Sequence, residues 1–382
     1  MINLHSPVIK NQEIKEVSKV LKSSWISSSG SNVKKFESSI SNYTGSKFAI
    51  SCVNGTSALH LALIAADISK GTEILLPCVS FIATANVVIY HSCKPIFFDV
   101  DDYFNINLHN VLEFLEKNTL VKKKKLFNKK TKKQISAIII VHAFGVPCNF
   151  NRIKVICKKY NIKIIEDAAE SLGSFFSKKK HTGTMGDIGC FSFNANKIIT
   201  TGGGGMLVTQ SASIAKKAKH LSMQAKKNSF FWEHDDIGYN YRLPNISATI
   251  GIFQMKRINS ILIKKKYMNG YYQKIFKNDS LFNLVETNLL HNKWMNLLKI
   301  KSNKNILKKL LIYLNRKKIE VRPVWKLLHE QKKFKNFEKF KIIKAKKLIE
   351  KHICLPSGID LNKKKLTIVF ECIKEFQKSY LK

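Results

Sequence analysis

The stretch ISAIIIVHAFGVPCNFNRIKVICKKYNIKIIED, residues 135–167, decides the fold of this chain. It opens with a nearly uninterrupted apolar run, ISAIIIVH (135–142), and closes with a second one, IKIIED (162–167). The segment between them, near 150–160, has the apolar spacing of a helix. This order predicts two parallel strands joined by a crossover helix, in a sheet that helices cover on both faces.

Segments of the same two kinds continue upstream and downstream of this unit. The further strands predicted are FAISCV (48–53), EILLP (73–77), PIFFDV (95–100), CFSF (190–193) and GMLVT (205–209), and helices are expected from Thr56, from about Ile82 and near 107–116. The last two strands lie too close in sequence for a crossover helix. The chain is therefore predicted to be α/β, with a mixed, mostly parallel sheet.

The flanking segments complete the predicted organisation. Apolar residues at helical spacing predict two N-terminal helices, one from about residue 11 and one that ends at Gly45. After GYNYRLPN (238–245) a helix is expected from about Ile246, followed by lysine-rich helices and a few strands. We place a boundary near residue 250, which gives a large domain (1–250) and a smaller α+β domain (251–382).

Charge is the most unusual feature of the composition. The chain has 66 basic and 26 acidic residues, a net charge of +40, which favours a nucleic-acid or membrane partner. Only five of the basic residues are arginines, although recognition of phosphates and base edges favours arginine. The lysines are spread over the whole chain, so the charge indicates a general composition bias. We predict no nucleic-acid partner and keep a basic nucleic-acid-binding protein as the alternative.

The run VKKKKLFNKKTKKQ (121–134) concentrates this charge. We interpret it as a solvated loop or insertion, with anion binding as the alternative. The eight cysteines show neither Cys-x-x-Cys spacing nor histidine pairing at metal spacing, which predicts free thiols and no metal site. No apolar run approaches the roughly 20 residues that span a bilayer. A cytoplasmic protein without a membrane segment is therefore expected.

Three motifs combine into one chemistry. In VNGTSALHLAL (53–63) a strand runs into Gly55, Thr56 and Ser57, which open a helix whose free amides can bind a phosphate; a simple N-cap is the alternative. In IIEDAAESLG (164–173) a strand ends at Asp167, where a carboxylate can reach a ligand at the sheet edge, again with an N-cap as the alternative.

The third motif is FSFNANKIITTGGGG (191–205), in which Lys197 is the only charged residue between Asp187 and Lys216. A lysine that bonds covalently to a carbonyl cofactor must be largely neutral, which surroundings of low charge favour. The glycines after it suit tight turns and close backbone approach. A phosphate site, a strand-end aspartate and such a lysine are the three parts of a pyridoxal phosphate site.

Beyond these three motifs, the sequence resembles the DegT/StrS-type family of sugar-nucleotide aminotransferases over nearly the whole chain. The resemblance is carried by SSWISSSGSNVKKFE, NGTSALHLAL, PCVSFIATANVV, EDAAESLGS, GTMGDIGCFSFNANKIITTGGGGMLVT, GYNYRLPNISATIG and VRPVWKLLHEQ. The residues of the last four segments are most similar to those of the subgroup that acts on UDP-4-keto-6-deoxy-N-acetylhexosamines. This subgroup includes 4-aminotransferases of the bacillosamine and legionaminic-acid pathways. A GDP- or dTDP-linked keto sugar is the alternative substrate. Related 3-dehydratases carry histidine where this chain has Lys197, which argues against dehydration.

The resemblance implies the pyridoxal-phosphate-dependent fold type I, with glutamate as amino donor and a homodimer with shared active sites. Lys197 would hold the cofactor and move the proton, and Asp167 would pair with the ring nitrogen. Glu170 stands where many members have glutamine or histidine near the ring's phenolate oxygen. The other cofactor-binding residues implied are Gly55, Thr56, Ser57 and Ser192 at the phosphate, Phe81 on the ring face, and Asn240 at the phosphate of the neighbouring subunit. The residues implied for the sugar nucleotide are Trp25, Arg242, Arg322 and His329.

Overall fold

A computed structural model describes residues 1–228, 230–302 and 304–381. Its helices are α1 (Asn11–Lys22), α2 (Ser31–Thr44), α3 (Gly55–Ala65), α4 (Ala83–Tyr90), α5 (Leu108–Lys117), α6 (Asn151–Lys159), α7 (Ala212–Ser222), α8 (Asn245–Lys256), α9 (Ile258–Phe276), α10 (Lys304–Arg316), α11 (Lys344–Ile349) and α12 (Lys363–Leu381). Its strands are β1 (Phe48–Cys52), β2 (Glu73–Pro77), β3 (Lys94–Phe98), β4 (Thr119–Lys122), β5 (Lys125–Asn128), β6 (Ile135–Val141), β7 (Lys163–Asp167), β8 (Phe175–Ser177), β9 (Lys180–His181), β10 (Ile188–Ser192), β11 (Gly205–Thr209), β12 (Lys226–Asn228), β13 (Glu233–His234), β14 (Phe282–Leu284), β15 (Asn296–Ile300), β16 (Arg322–Pro323), β17 (Lys339–Phe340) and β18 (His352–Leu355).

The large sheet has the strand order β1-β11-β10-β7-β6-β2-β3-β17. Neighbouring strands from β10 to β17 are parallel, whereas β11 is antiparallel to both β1 and β10. The predicted mixed, mostly parallel sheet is confirmed. The reversal at β11 follows from the short connection after β10, which is too short to hold a crossover helix.

Alternation along the central strands sends neighbouring side chains to opposite faces of the sheet. In β7, Ile165 packs into the core on one face and Ile164 into the core on the other. The same alternation separates the two acids that end the strand, so Asp167 shares the face of Ile165 and Glu166 shares that of Ile164. The two carboxylates therefore serve different sites.

The N-terminal helices form where the apolar spacing predicts them. The apolar residues of α2 are buried, and the helix ends at Gly45, whose φ of +74° is the left-handed conformation that glycine favours. In α1, Ile14 and Leu21 are exposed, whereas Glu13 is buried and accepts a hydrogen bond from Gln254. The structure thus leaves much of the apolar stripe of α1 uncovered.

The lysine-rich segment differs from its prediction as a loop. Residues 119–128 form a β-hairpin of β4 and β5, in which Leu126 and Asn128 are buried. The Asn128 side chain donates hydrogen bonds to the carboxylates of Glu73 and Glu338. Buried residues on both strands anchor the hairpin among many lysines, and the prediction of a loop from composition missed it.

The C-terminal part has its own antiparallel sheet, in the order β14-β15-β18-β16. Helices α9, α10 and α12 pack with this sheet into a second core, which Ile2 from the N-terminus also joins. Strand β17 leaves this part and pairs with β3 at the edge of the large sheet. Helix α8 begins at Asn245, as predicted, and contains residue 250; the division of the chain there stays a prediction.

Two absences among the described residues concern membranes and metals. None of the helices in the described ranges has the length and apolar character required to cross a membrane. Within the same residues, no three His, Cys, Asp or Glu side chains cluster as potential metal ligands. The cytoplasmic location stays a prediction.

Candidate active site

Lys197 follows β10 in a partly shielded position, with 13% of its side chain exposed. Its Nζ lies 3.3 Å from Oε1 of Glu170 and 4.4 Å from the centroid of the Trp294 ring. Both contacts stabilise a positive charge at this atom. The stretch 188–210 carries no other charge, but the fold adds a carboxylate from a distant segment, so the predicted low-charge surroundings were incomplete.

Asp167 ends β7 at the carboxyl edge of the sheet, where the sequence predicted it. Its Oδ2 accepts a 2.6 Å hydrogen bond from the Thr84 hydroxyl, and its Oδ1 accepts one of 3.3 Å from the Ala169 amide. Burial raises the pKa of Asp167, and these hydrogen bonds and the charge of Lys197 only partly oppose the shift. A cationic ring nitrogen next to this carboxylate would offset the cost of burying it.

Glu170 connects the lysine to the loop after β6. Its Oε2 accepts a 2.8 Å hydrogen bond from the Phe144 amide, and its Oε1 faces Lys197. Burial raises the pKa of Glu170 to about 7, against the lowering effects of the Lys197 charge and of the Phe144 hydrogen bond. This carboxyl group therefore exchanges its proton near neutral pH.

Phe144 forms one aromatic wall of the site. Its backbone φ is +53°, a left-handed conformation that costs a non-glycine residue roughly 1–2 kcal/mol. The hydrogen bond to Glu170 holds its amide, and its ring stacks on Trp325 at 4.6 Å and 11°. It also lies nearly parallel to Trp294, with centroids 6.3 Å apart. Contacts from three separate segments thus maintain the left-handed backbone conformation of Phe144.

The four predicted phosphate residues meet at the start of α3. Asn54 caps the helix by accepting a 2.7 Å hydrogen bond from the Ser57 amide, which leaves the amides of Gly55 and Thr56 in the open first turn. Ser192 ends β10 directly against this turn. A Cβ on Gly55 would lie only 2.8 Å from the Cβ of Ser192, so only glycine fits this approach.

The glycine run after Lys197 forms tight turns and allows close backbone approach, as the sequence predicted. Gly202 and Gly204 have φ of +82° and +156°, which turn the chain tightly. At Gly205 a Cβ would lie 2.4 Å from the Asn54 carbonyl oxygen. Because β11 begins there, the absence of a side chain lets that strand pass close to the phosphate turn.

Phe81 lies between β2 and α4 and is 56% exposed. Its carbonyl oxygen accepts a 3.2 Å hydrogen bond from the amide of Thr84, the residue that also holds Asp167. The structure therefore ties the predicted ring-face residue to the segment that holds the predicted ring-nitrogen partner. This exposure leaves the Phe81 side chain accessible to a stacking partner.

Trp25, Asn240 and His329 lie in three different surroundings. Trp25 is 62% exposed and lines a separate cavity of about 660 Å³ with Asn245. Asn240 is exposed. His329 is buried, and burial lowers the pKa of its ring, which packs against Phe97.

The two arginines have different surroundings. Arg322 donates hydrogen bonds to Glu320 and lines a cavity of about 620 Å³ together with Asn196, the neighbour of Lys197. Arg242 is half-buried, and its Nε is shielded from solvent with no hydrogen-bond partner among the described residues. An unpaired guanidinium nitrogen of this kind is suited to an anionic oxygen from outside the subunit.

Sequence reasoning missed Thr84, Phe144 and Trp294. Thr84 had a signal, because it stands in the first turn of a helix at the same sheet edge as Asp167. Trp294 had none, because it approaches Lys197 from the C-terminal part of the chain, 97 positions away along the sequence. The geometry as a whole fits pyridoxal phosphate: an amide turn for the phosphate, a buried carboxylate for the ring nitrogen and a lysine for the aldehyde.

Comparisons with known proteins agree with this geometry. The DegT/DnrJ/EryC1/StrS aminotransferase family matches residues 7–374. GDP-perosamine synthase of Escherichia coli O157:H7 is 34% identical over 377 residues, which cover 98% of both chains. A UDP-4-amino-4,6-dideoxy-N-acetyl-beta-L-altrosamine transaminase of Campylobacter jejuni is 32% identical and covers 75% of this chain and 72% of its own.

Solved structures show the same fold. Helicobacter pylori PseC, described as an aminotransferase involved in the biosynthesis of pseudoaminic acid, superposes with a TM-score of 0.88 at 24% identity, over 99% of both chains. The PLP form of the putative sugar aminotransferase Spr1654 from Streptococcus pneumoniae gives a TM-score of 0.87 at 23% identity, over 99% of both chains. The chain belongs to the DegT/DnrJ/EryC1/StrS aminotransferase family and is a pyridoxal-phosphate-dependent sugar aminotransferase of fold type I.

Proposed function

We propose that this enzyme transfers the amino group of glutamate to the keto carbon of UDP-4-keto-6-deoxy-N-acetylglucosamine. The product would be a 4-amino-4,6-dideoxy sugar nucleotide for surface glycan or nonulosonic acid synthesis. The observation that carries the proposal is the position of Lys197, which contacts Glu170 and Trp294 next to a cavity of about 620 Å³. Such a cavity has room for part of a sugar nucleotide beside the reacting lysine.

Each residue has a distinct task in this reaction. Bound pyridoxal phosphate supplies an aldehyde that takes up the amino group and a ring that accepts electrons. The Asp167 carboxylate would hold the proton on the ring nitrogen, from the buried position that Thr84 fixes. The Lys197 Nζ would remove and return the proton at the carbon that carries the amine. Glu170, whose carboxyl lies 3.3 Å away, would orient that Nζ.

The sugar-nucleotide contacts and the homodimer form part of the same proposal. Arg322 lines the cavity and would meet a diphosphate or carboxylate. Trp25 and Asn240 are exposed and point to sites completed by a second subunit. Arg242 would use its unpaired Nε there. His329 remains a candidate that acts only if substrate binding opens its buried position.

The exposed apolar surface supports the homodimer. Ile14 and Leu21 of α1 and the nearby Ile26 are exposed, as are the aromatic residues of the 230–232 segment. Apolar patches of this kind mark interaction surfaces. A second subunit that covers these apolar residues would bring Asn240 of one subunit to the cofactor phosphate of the other.

A GDP-linked 4-keto-6-deoxy sugar is the second candidate substrate. The observation that favours it is the 34% identity to a GDP-perosamine synthase across 98% of both chains. The relative named for a UDP-linked sugar has 32% identity over a smaller share of both chains. The overall reaction would be the same, and only the nucleotide and the sugar substituents would differ.

A substrate panel separates the candidates. Purified enzyme is given glutamate with UDP- and GDP-linked 4-keto sugars, and 2-oxoglutarate is measured. We expect turnover with the UDP-N-acetyl sugar; turnover with the GDP sugar alone would favour the second candidate. An enzyme that converts none of these 4-keto sugars would refute the proposal.

The role of Lys197 has a direct test. We expect Lys197→Ala to abolish turnover and to lose the cofactor that borohydride fixes to the wild-type chain. Lys216→Ala, a change of the next lysine along the sequence, which is exposed, should retain both. Mass spectrometry after borohydride reduction locates the modified residue. Attachment at any other lysine would contradict the assignment.

A further inference from the structure

Lys265 of α9 is fully buried, close to the site but outside the machinery described above. Its Nζ lies 2.9 Å from the carbonyl oxygen of Trp294 and 2.5 Å from that of Ser357. The third neighbour is Nε2 of His5, at 2.7 Å. An ammonium group has three N–H donors, and these three contacts use all of them.

This arrangement fixes where the proton of His5 lies. Both carbonyl groups only accept hydrogen bonds, so in the ammonium form of Lys265 the third donor points to Nε2, which must then carry no proton. Burial, followed by the positive charges of Lys265 and Lys197, lowers the pKa of His5 well below its usual value. The ring is therefore neutral, and its one proton lies on Nδ1.

The His5 Nδ1 atom is shielded from solvent and has no hydrogen-bond partner among the described residues. His5 nevertheless lines the cavity of about 620 Å³, with Phe144, Asn196, Trp294 and Arg322. Leaving a buried N–H unpaired costs about 1–3 kcal/mol. A ligand that binds against His5 and displaces the atoms now covering Nδ1 would offer this N–H an oxygen and remove that cost.

We propose that His5 is a substrate-binding residue whose Nδ1–H donates a hydrogen bond to a neutral oxygen of the keto sugar, and that Lys265 is the positioning residue that fixes this tautomer. The inference rests on the proposed function, because that function supplies the sugar. A neutral N–H matches a hydroxyl or carbonyl oxygen. The carboxylates of glutamate are better matched by a cation such as Arg322.

The tautomer is tested by nitrogen NMR of the holoenzyme with ¹⁵N-labelled histidine. Burial lowers the pKa of Lys265 to about 7, so spectra are recorded at pH 6, where the ammonium form prevails. His5→Gln identifies the His5 signals among those of the 11 histidines. We expect His5 to carry its proton on Nδ1 in the wild type and to lose this preference in Lys265→Met. A wild-type ring protonated on Nε2 would overturn the proposal.

Substrate binding is tested by following the two half-reactions separately at pH 6.5. His5→Gln keeps an oxygen near Lys265 but removes the Nδ1 donor, whereas His5→Asn can place an N–H near the Nδ1 position. We expect His5→Gln to lower kcat/KM for the keto sugar at least tenfold and that for glutamate less than twofold. His5→Asn should lose less than His5→Gln for the sugar.

Two outcomes overturn the assignment of His5 and leave the proposed function standing. One is unchanged sugar kinetics in His5→Gln, and the other is an equal loss in both half-reactions, which would indicate a merely structural role. Failure of the proposed function looks different, because the wild type would then react with glutamate but with no keto sugar. Thermal unfolding of each variant, compared with the wild type, shows whether the substitution has destabilised the fold.

Discussion

Thr84 makes the shortest hydrogen bond to the carboxylate that would hold the ring nitrogen, 2.6 Å to Oδ2 of Asp167. We predict that Thr84→Val lowers kcat/KM about tenfold, because about 1.4 kcal/mol of carboxylate stabilisation is lost. The same loss raises the pKa of Asp167 further. The acid limb of the pH–rate profile should therefore move to higher pH.

Thr84→Ser is the matched control, because it keeps the hydroxyl and removes only a methyl group. It should retain activity within about twofold and leave the pH profile in place. A Thr84→Val enzyme with wild-type kinetics would show that the amide of Ala169 is sufficient to hold Asp167.

The raised pKa of Glu170 predicts that this residue makes the free energy of unfolding depend on pH. Its pKa is about 7 in the folded protein and near the ordinary 4.5 in an unfolded chain, so between these values the folded protein binds the extra proton. Stability contributed by this proton is present at low pH and is lost as the pH rises through about 7. Glu170→Gln should remove on the order of 3 kcal/mol of this decline in the free energy of unfolding.

Urea unfolding of both proteins between pH 4.5 and pH 8 measures the effect. Asp101, whose pKa burial raises to about 6, titrates in the same range but is common to both proteins and cancels in the difference. A difference between the two proteins that does not change with pH would contradict the expected titration of Glu170.

Residues such as Asp167 and Lys197 could be predicted from the sequence because local patterns mark them. A strand that ends in a carboxylate and a lysine before glycines are both visible in a short window. Trp294 and His5 could not be predicted in this way, since the fold brings them to the cavity from distant segments. Glu170 was predicted as a cofactor-binding residue, but its contact with Lys197 depends on tertiary structure.

Among the elements, the hairpin of β4 and β5 departs furthest from expectation. Lys122 pairs with Lys125, and the two residues between them have φ of +48° and +59°. Two-residue turns of this kind favour Asn-Gly, because asparagine and glycine tolerate positive φ. We predict that Lys123→Asn with Lys124→Gly stabilises the protein by about 1 kcal/mol.

The same pair of changes in the β8–β9 turn, Lys178→Asn with Lys179→Gly, is the control. Neither lysine there has a positive φ, so no gain is expected. Urea midpoints of both double variants test the idea. Equal effects of the two would attribute any gain to lost lysine charge rather than to turn conformation.

The sheet itself was predictable because its strands are nearly continuous apolar runs, which only a doubly covered sheet can bury. The antiparallel direction of β11 was predictable because the connection between β10 and β11 is too short for a crossover helix. The hairpin was not, because Leu126 and Asn128 are two buried residues in a run dominated by lysine. The burial of Glu13 in α1 was also hidden, since its partners Gln254 and Arg257 lie in or next to α8.

For the molecule as a whole, the net charge of +40 makes folding stability depend on salt concentration. Sixty-six basic residues far outnumber the acidic residues available to pair with them, so repulsion dominates at low ionic strength. We predict that urea midpoints rise between 20 and 300 mM NaCl, because salt screens this repulsion. Midpoints that fall would show that ion pairs outweigh the repulsion, and a match between NaCl and KCl would exclude a specific cation effect.

Two small contacts have a consequence for how the protein is made. The large sheet acquires its edge strand β17 only when residue 340 has been synthesised, and Ile2 finds its partner Ile319 at a similar stage. The nascent chain must therefore keep its first residues and one sheet edge unsatisfied while most of its length leaves the ribosome. Translation that stops near residue 300 would release a product with an open apolar edge, a substrate for chaperones or proteases rather than a stable fragment.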